Sequence, residues 1–379
     1  MNKQDIEVSV VLPCLNEEAG ISTCINKAKK IFSEHNVNAE IIVVDNGSTD
    51  NSAEIARNLG AKVIFQPIRG YGAAYIEGLR QAKGKYIIIA DADDTYDLYQ
   101  IPEFLDLLRQ GYEFVIGNRF KGRIYDKSMP WMNRYIGNPI LSGLCKLFFQ
   151  TKVSDIHCGM RGFTRAAYEN MNLKCLGMEF ATEMVMEALY KKLKIKEVPI
   201  NYYPRKGISK LRPFQDAWRH LRFMFLFCPT WLYFVPGLLI TCFGIFTLLL
   251  LVKGPFYFLG HNWDMHMLIL ASLLSILGFQ LLNLGVYAKT FAVRQGYLRR
   301  DKIMLFLARN FRLEVGILIG LIFFIFGLGV NLSIFIEWWQ KSFGTLYRIR
   351  EAILAMTFMS LGFQTIFSSF FISLLLIKR

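Results

Sequence analysis

The sequence predicts an α/β fold: a mostly parallel sheet domain followed by interfacial helices and four transmembrane helices. Three observations lead there. Short β-branched runs alternate with amphipathic stretches over residues 1–212, the pattern of parallel strands joined by helical crossovers and covered on both faces. The composition changes after Pro213. Beyond it lie four runs free of Asp, Glu, Lys and Arg, each reaching the about 20 residues needed to cross a hydrocarbon core.

In chain order, the candidate strands are VSVVLP (8–13), EIIVVD (40–45), AKVIFQ (61–66), KYIIIAD (85–91) and YEFVIG (112–117). Helical stretches are expected between them at 18–34, 50–59 and 72–82. Residues 1–212 should form one cytoplasmic catalytic domain. WMNRYIGNPILSGLCKLFF (131–149) is apolar with few charges, and PFQDAWRHLRFMFLF (213–227) sets Arg219 and Arg222 against aromatics. Both are expected to lie in the headgroup plane, with amphipathic core helices as the alternative; the second is taken as an interfacial helix over 213–228. The remainder, 229–379, should be a membrane domain with spans at about 231–252, 266–288, 315–336 and 352–377.

Charge gives an orientation. The connection 289–312 carries Lys289, Arg294, Arg299, Arg300, Lys302, Arg309 and Arg312, whereas 253–265 carries only Lys253. By the positive-inside rule the former and both termini face the cytoplasm, which makes this a multi-pass protein of a cell inner or plasma membrane. The whole chain of 379 residues is 53% hydrophobic with a net charge of +14, which suits an anionic membrane surface or a polyanionic ligand. No nucleic-acid partner is expected. The seven scattered cysteines lack ligand spacing and read as reduced thiols. The first thirty residues carry charges and no long apolar run, so no signal peptide is expected.

Ligands of open parallel sheets bind beyond the carboxyl ends of the strands. Those ends read LPCLNEE (12–18), VDNGSTDNS (44–52), RGYGAAYIEG (69–78), ADADD (90–94) and GNRFKGR (117–123). Asp91 and Asp93 are two residues apart, so in an extended chain their carboxylates point the same way. Like charges so placed call for a cation, and hard oxygen ligands suit Mg2+ or Mn2+ bridging phosphates. The competing reading is a helix cap with solvated neighbours. Asp45 can accept hydrogen bonds from a base or ribose, while Asp50 is read as a helix cap. The lone GxG of RGYGAA is weak as a dinucleotide fingerprint.

Together these stretches, with SDIHCGMRGF (154–163) and EVPINYYPRKGISKL (197–211), resemble the family 2 glycosyltransferases with a GT-A, Rossmann-like fold, and among them the polyprenyl-phosphate glycosyltransferases such as dolichol-phosphate mannose synthase. The resemblance covers nearly all of residues 8–211 in the family's order. It implies that Pro13, Glu17, Asp45, Gly70 and Asp91 serve the nucleotide sugar, that Asp91 and Asp93 hold metal and diphosphate as the catalytic pair, and that Arg119, Arg134, Asn138 and Arg205 meet the acceptor phosphate. A Gln often found two residues past the second Asp is here Thr95, leaving Asp94 or His157 as stand-ins. The implied activity is metal-dependent transfer of a hexose from a nucleotide sugar, UDP-glucose or GDP-mannose, to a membrane polyprenyl phosphate, with inversion. Homo-oligomerisation is left open. A processive polysaccharide synthase is the alternative, but no Gln-x-x-Arg-Trp motif is present. A transporter with a nucleotide-binding domain is a second, disfavoured by spans without ionisable Asp, Glu, Lys or Arg.

Overall fold

The computed structural model describes residues 6–149, 151–207, 213–258, 260–294 and 313–377. The chain divides into two units, Met1–Met224 and Phe225–Arg379.

All five expected strands form: β1 (Val8–Cys14), β2 (Ala39–Asp45), β3 (Lys62–Phe65), β4 (Tyr86–Ile89) and β5 (Phe114–Asn118). The helices between them are α1 (Glu18–Glu34), α2 (Ser52–Asn58), α3 (Tyr71–Gln81) and α4 (Ile101–Arg109). Val10, Val11, Leu12, Ile42, Val43, Ile87, Ile88, Val115 and Ile116 are all buried, because helices cover both faces and every position of a strand must be apolar. After β5 come α5 (Asn138–Phe149), β6 (Arg161–Thr164), α6 (Arg165–Asn170), α7 (Phe180–Tyr190), β7 (Ile195–Pro199) and α8 (Pro213–Leu226).

The seven-stranded sheet runs β3-β2-β1-β4-β6-β5-β7. β6 is antiparallel to both β4 and β5, and the other pairs are parallel. Sequence patterning missed β6 and β7. β6 reads RGFT, four residues that include a glycine and a buried arginine, so no apolar run announces it.

Among the described residues, the second unit holds four helices long and apolar enough to cross a membrane: Thr230–Leu251, which contains α9 (Val235–Leu251); α10 (Met265–Arg294); α11 (Leu313–Gln340); and α12 (Ile349–Leu376). A short hairpin of β8 (Phe256–Phe258) and β9 (His261–Trp263) joins the first two. Glycines set the helix contacts. A Cβ at Gly244 would stand 2.6 Å from the Ser275 nitrogen, and one at Gly362 would stand 2.6 Å from that of Phe324. Small residues let helix backbones approach where lipid offers no hydrophobic drive.

The second span runs past its expected end at 288. Lys289 lies inside α10, buried, and donates to Thr230 Oγ1 at 2.7 Å, so this amine belongs to the helix packing and not to a loop. Residues 295–312, which carry most of the charge used for orientation, and Ser209, Lys210, Lys378 and Arg379 lie outside the described residues.

Candidate active site

The carboxyl ends of β1, β2 and β4 deliver acidic side chains to one edge of the sheet. After β4 the chain turns immediately. Asp94 takes a left-handed φ of 62°, a conformation Asp tolerates better than most residues, and this turn packs the acidic run together. Asp91 Oδ1 accepts hydrogen bonds from the hydroxyls of Tyr71 and Tyr75 at 3.0 and 3.3 Å. Gly159 makes room for it: a Cβ there would stand 2.9 Å from Asp91 Oδ2. The Gly159 segment is itself pinned by Arg161, which is fully buried and donates to the carbonyls of Ile156, Cys158 and Ala181.

Asp93 is shared between two partners. Thr95 donates its N–H and hydroxyl to Oδ1 at 3.1 and 2.6 Å, and Arg205 Nη1 lies 3.1 Å from Oδ2. The same guanidinium bonds Glu17 through Nη2. Asp94 is held from both sides by Lys27 and Lys206, each at 2.8 Å. The segment Arg205–Lys206 thus straps the acidic edge with two cations, and Lys206 adds a backbone N–H to the Asp93 carbonyl at 3.1 Å. Neither Lys27 nor Lys206 was singled out from sequence. Lys206 had a signal in its adjacency to Arg205; Lys27, on α1, had none.

Burial, and then the neighbouring Asp93 charge, push the Asp91 carboxyl up to about 7; the tyrosine hydroxyls and Arg205 offset this only in part. A half-buried acid short of positive charge beside a second carboxylate fits a divalent cation, and the donors are the hard oxygens such an ion takes. Among the described residues no group of three or more His, Cys, Asp and Glu gathers as a metal cage. Asp91 and Asp93 would therefore supply two ligands, with substrate oxygens and water completing the shell. Asp94 is committed to its lysines. His157 is buried against His220, ring centroids 4.4 Å apart, and neither of its nitrogens has a hydrogen-bond partner among the described residues.

The residues expected to serve the nucleotide stand at neighbouring strand ends and at the start of α3. Pro13 is on β1 beside Val44 of β2. Asp45 ends β2 and accepts from the Ser48 N–H at 2.9 Å. Asp50 accepts from the Ser52 N–H at the start of α2, 3.0 Å, but the N-cap residue is Asn51, so Asp50 stands one place before the cap position expected of it. Gly70 precedes α3, and its N–H donates to Asn46 Oδ1 at 2.8 Å. The glycines here serve close approach to protein: a Cβ at Gly70 or Gly72 would stand 2.2 or 2.0 Å from the carbonyl oxygens of Leu176 and Cys175.

The four residues expected around an acceptor phosphate are not in one hydrogen-bonded group. Arg205 is on the acidic edge. Arg119 is buried and forks onto Asp155 at 2.8 and 2.7 Å, with its backbone N–H on the same carboxylate. Arg134 lies in the π-helical stretch Asn133–Gly137 with its guanidinium 5.4 Å from the Tyr135 ring centroid. Asn138 donates to Met129 Sδ at 3.6 Å. Around Arg134, Trp131, Met132, Tyr135, Ile136 and Ile140 are exposed, an apolar face on a polar domain.

Over 366 residues, 96% of this chain and 87% of the relative, the sequence is 37% identical to the low-salt glycan biosynthesis hexosyltransferase Agl6 of Haloferax volcanii. The chain belongs to glycosyltransferase family 2. The profile "Glycosyl transferase family 2" matches residues 9–171, and "Glycosyltransferase family 2 C-terminal transmembrane region" matches 286–376. The dolichyl-phosphate hexose transferase of the same organism is 34% identical over 210 residues, 55% of this chain and 88% of that one. Among solved structures, glucosyl-3-phosphoglycerate synthase from Mycobacterium tuberculosis, in complex with Mn2+, UDP and glucosyl-3-phosphoglycerate, aligns with a TM-score of 0.48 at 22% identity, covering 59% of this chain and 80% of that one. This protein is a family 2 glycosyltransferase whose mostly parallel sheet unit precedes a region that matches the family's C-terminal transmembrane profile.

Proposed function

We propose that this glycosyltransferase moves a hexose from UDP-glucose or GDP-mannose to a polyprenyl phosphate at the membrane surface. The observation that carries the reading is the Asp91–Asp93 pair at the carboxyl end of β4, beside Glu17 and strapped by Arg205. The similarity to a protein named as a dolichyl-phosphate hexose transferase supports the acceptor class.

An acceptor phosphate oxygen attacks the anomeric carbon, the bond from that carbon to the diphosphate breaks, and the nucleoside diphosphate leaves with the electron pair. A phosphate monoester has a second pKa near about 6, so it is anionic at neutral pH and needs little help from a base. The enzyme's work is to hold two anions together. Mg2+ or Mn2+ held by Asp91 and Asp93 would supply positive charge to the leaving diphosphate. Pro13, Glu17, Asp45 and Gly70 line the nucleotide side. Arg205 has donors that can be redirected from two carboxylates to the acceptor phosphate, since a guanidinium suits phosphate oxygens. Arg134 and Asn138 meet the lipid phosphate where the exposed Trp131–Ile140 face lies in the headgroup plane, with α8 as a second interfacial helix. Arg119 supports the β5 end through Asp155. The catalytic unit, taken as residues 1–212 ahead of an interfacial helix and a membrane domain, faces the cytoplasm in this reading.

The test is transfer itself. Purified protein with radiolabelled UDP-glucose or GDP-mannose, polyprenyl phosphate and Mn2+ should carry label into the organic phase. Asp93→Ala should abolish it while the protein stays folded. Near-normal turnover by that variant, together with indifference to EDTA, overturns the metal-dependent reading.

A further inference from the structure

The four spans lack charges at their centres but not polarity. Gln280 stands in the middle of the 30-residue α10, and Gln364 in the middle of the 28-residue α12. With Asn283 they line a cavity of about 430 Å3 between these two helices. Gln364 Oε1 is buried there without a hydrogen-bond partner among the described residues. Beside it Tyr287 donates its hydroxyl to Ser368 at 2.5 Å. Phe363 and Phe367 complete the wall, with ring centroids 4.6 Å apart.

Three amides at helix centres are costly in hydrocarbon unless something bonds them. An acyl or isoprenoid chain offers no such group. A second copy of this face is a poor match, because a notch set against the same notch leaves a void. No charged side chain lines the cavity, so neither a free anion nor a cation is favoured. Amides present a donor and an acceptor together, as vicinal hydroxyls require, and the phenyl rings suit the C–H face of a sugar. The volume is within the range of small-molecule sites.

We infer that the α10–α12 cavity is an intramembrane site for the hexosyl head of a glycolipid, separate from the transfer site on the sheet edge. The amides bond the ring hydroxyls and the phenylalanines pack its apolar face. That the occupant is the enzyme's own product rests on the function proposed above; the site as a hexose site does not.

The experiment places p-benzoylphenylalanine at Phe367 of the full chain in nanodiscs. Irradiation follows addition of dodecyl glucoside, dodecyl phosphoglucose or dodecanol, and adducts are read by mass. Adducts to dodecyl glucoside, absent with dodecanol and competed by octyl glucoside but not by octanol, are expected. Adducts to dodecyl phosphoglucose as well identify the product class as an occupant; adducts to the neutral glucoside alone identify a neutral glycolipid. Gln280→Leu with Gln364→Leu should cut the yield roughly tenfold, the scale of two lost hydrogen bonds, and leave hexose transfer unchanged. Equal labelling by dodecanol, or a cross-link to a second copy in place of the glucoside, overturns the site. Because the probes are supplied ready-made, failure of transfer with labelling intact counts against the proposed reaction alone, and absence of labelling in the protein with both glutamines present, transfer being intact, counts against the site alone.

Discussion

Arg119 shows how a motif residue can be committed to the fold. Its guanidinium forks onto Asp155, whose side chain is 0% exposed, so the pair is closed to solvent. Removing one partner strands a buried charge. Arg119→Ala should therefore cost about 3–5 kcal/mol of stability, read as a fall in the unfolding midpoint. Arg119→Met combined with Asp155→Leu should recover much of it, since well-packed apolar pairs often replace buried ion pairs without loss. A stable Arg119→Ala variant with altered acceptor KM would instead return this residue to the phosphate. His157 gives a pH prediction. Burial first, then the facing His220, Arg119 and Arg161, hold its pKa well below the ordinary 6.5. Between those two values the unfolded chain binds a proton that the folded chain does not. Stability from this group is thus present above about 6.5 and is lost as pH falls towards the folded pKa. Its nitrogens make no hydrogen bonds among the described residues, so His157→Leu should raise the midpoint, and by more at about pH 5.5 than at about pH 7.5. An identical pH dependence in parent and variant would place the acid sensitivity elsewhere.

At the scale of elements, the start of α3 is positioned by contact with the 175–177 segment. A Cβ on Gly72 would meet the Cys175 carbonyl at 2.0 Å and the Phe180 Cβ at 2.8 Å. Backbone cannot yield as a flexible side chain does, so Gly72→Ala should destabilise by about 1–3 kcal/mol, measured by thermal unfolding. It should also weaken nucleotide-sugar binding, because Tyr71 and Tyr75 on this helix hold Asp91. A variant as stable as the parent would mean that the 175–177 segment shifts freely. β6 works in the same way. It carries Arg161, which anchors the loop whose Gly159 admits the Asp91 carboxyl.

For the whole molecule, the division at Met224 and Phe225 separates a sheet unit from four membrane-length helices. The expected topology keeps 289–312 on the side of the catalytic unit, because moving that many basic residues across is opposed during insertion. With the native cysteines replaced, Met304→Cys should resist an impermeant maleimide on intact cells and react in inverted vesicles. Ready labelling on intact cells would reverse the orientation.

The sequence alone determined the strands β1 to β5, the helices α1 to α3 between them and the four membrane-length runs. Those signals are local: a run of β-branched residues buried on both faces, or a stretch long enough for hydrocarbon, is visible within one window. It also brought Asp91 and Asp93 forward as a pair, although they lie in the turn that follows β4 and not on the extended strand the spacing suggested. Only the tertiary structure decided what faces them. Lys27 reaches Asp94 across 67 residues, Arg205 reaches Glu17 across 188, and Asp155 claims Arg119 across 36. The antiparallel β6, the burial of Lys289 and the cavity that amides of α10 and α12 line together were equally out of sight. Such pairings depend on which loops and faces the crossovers bring together, and no local periodicity encodes that meeting.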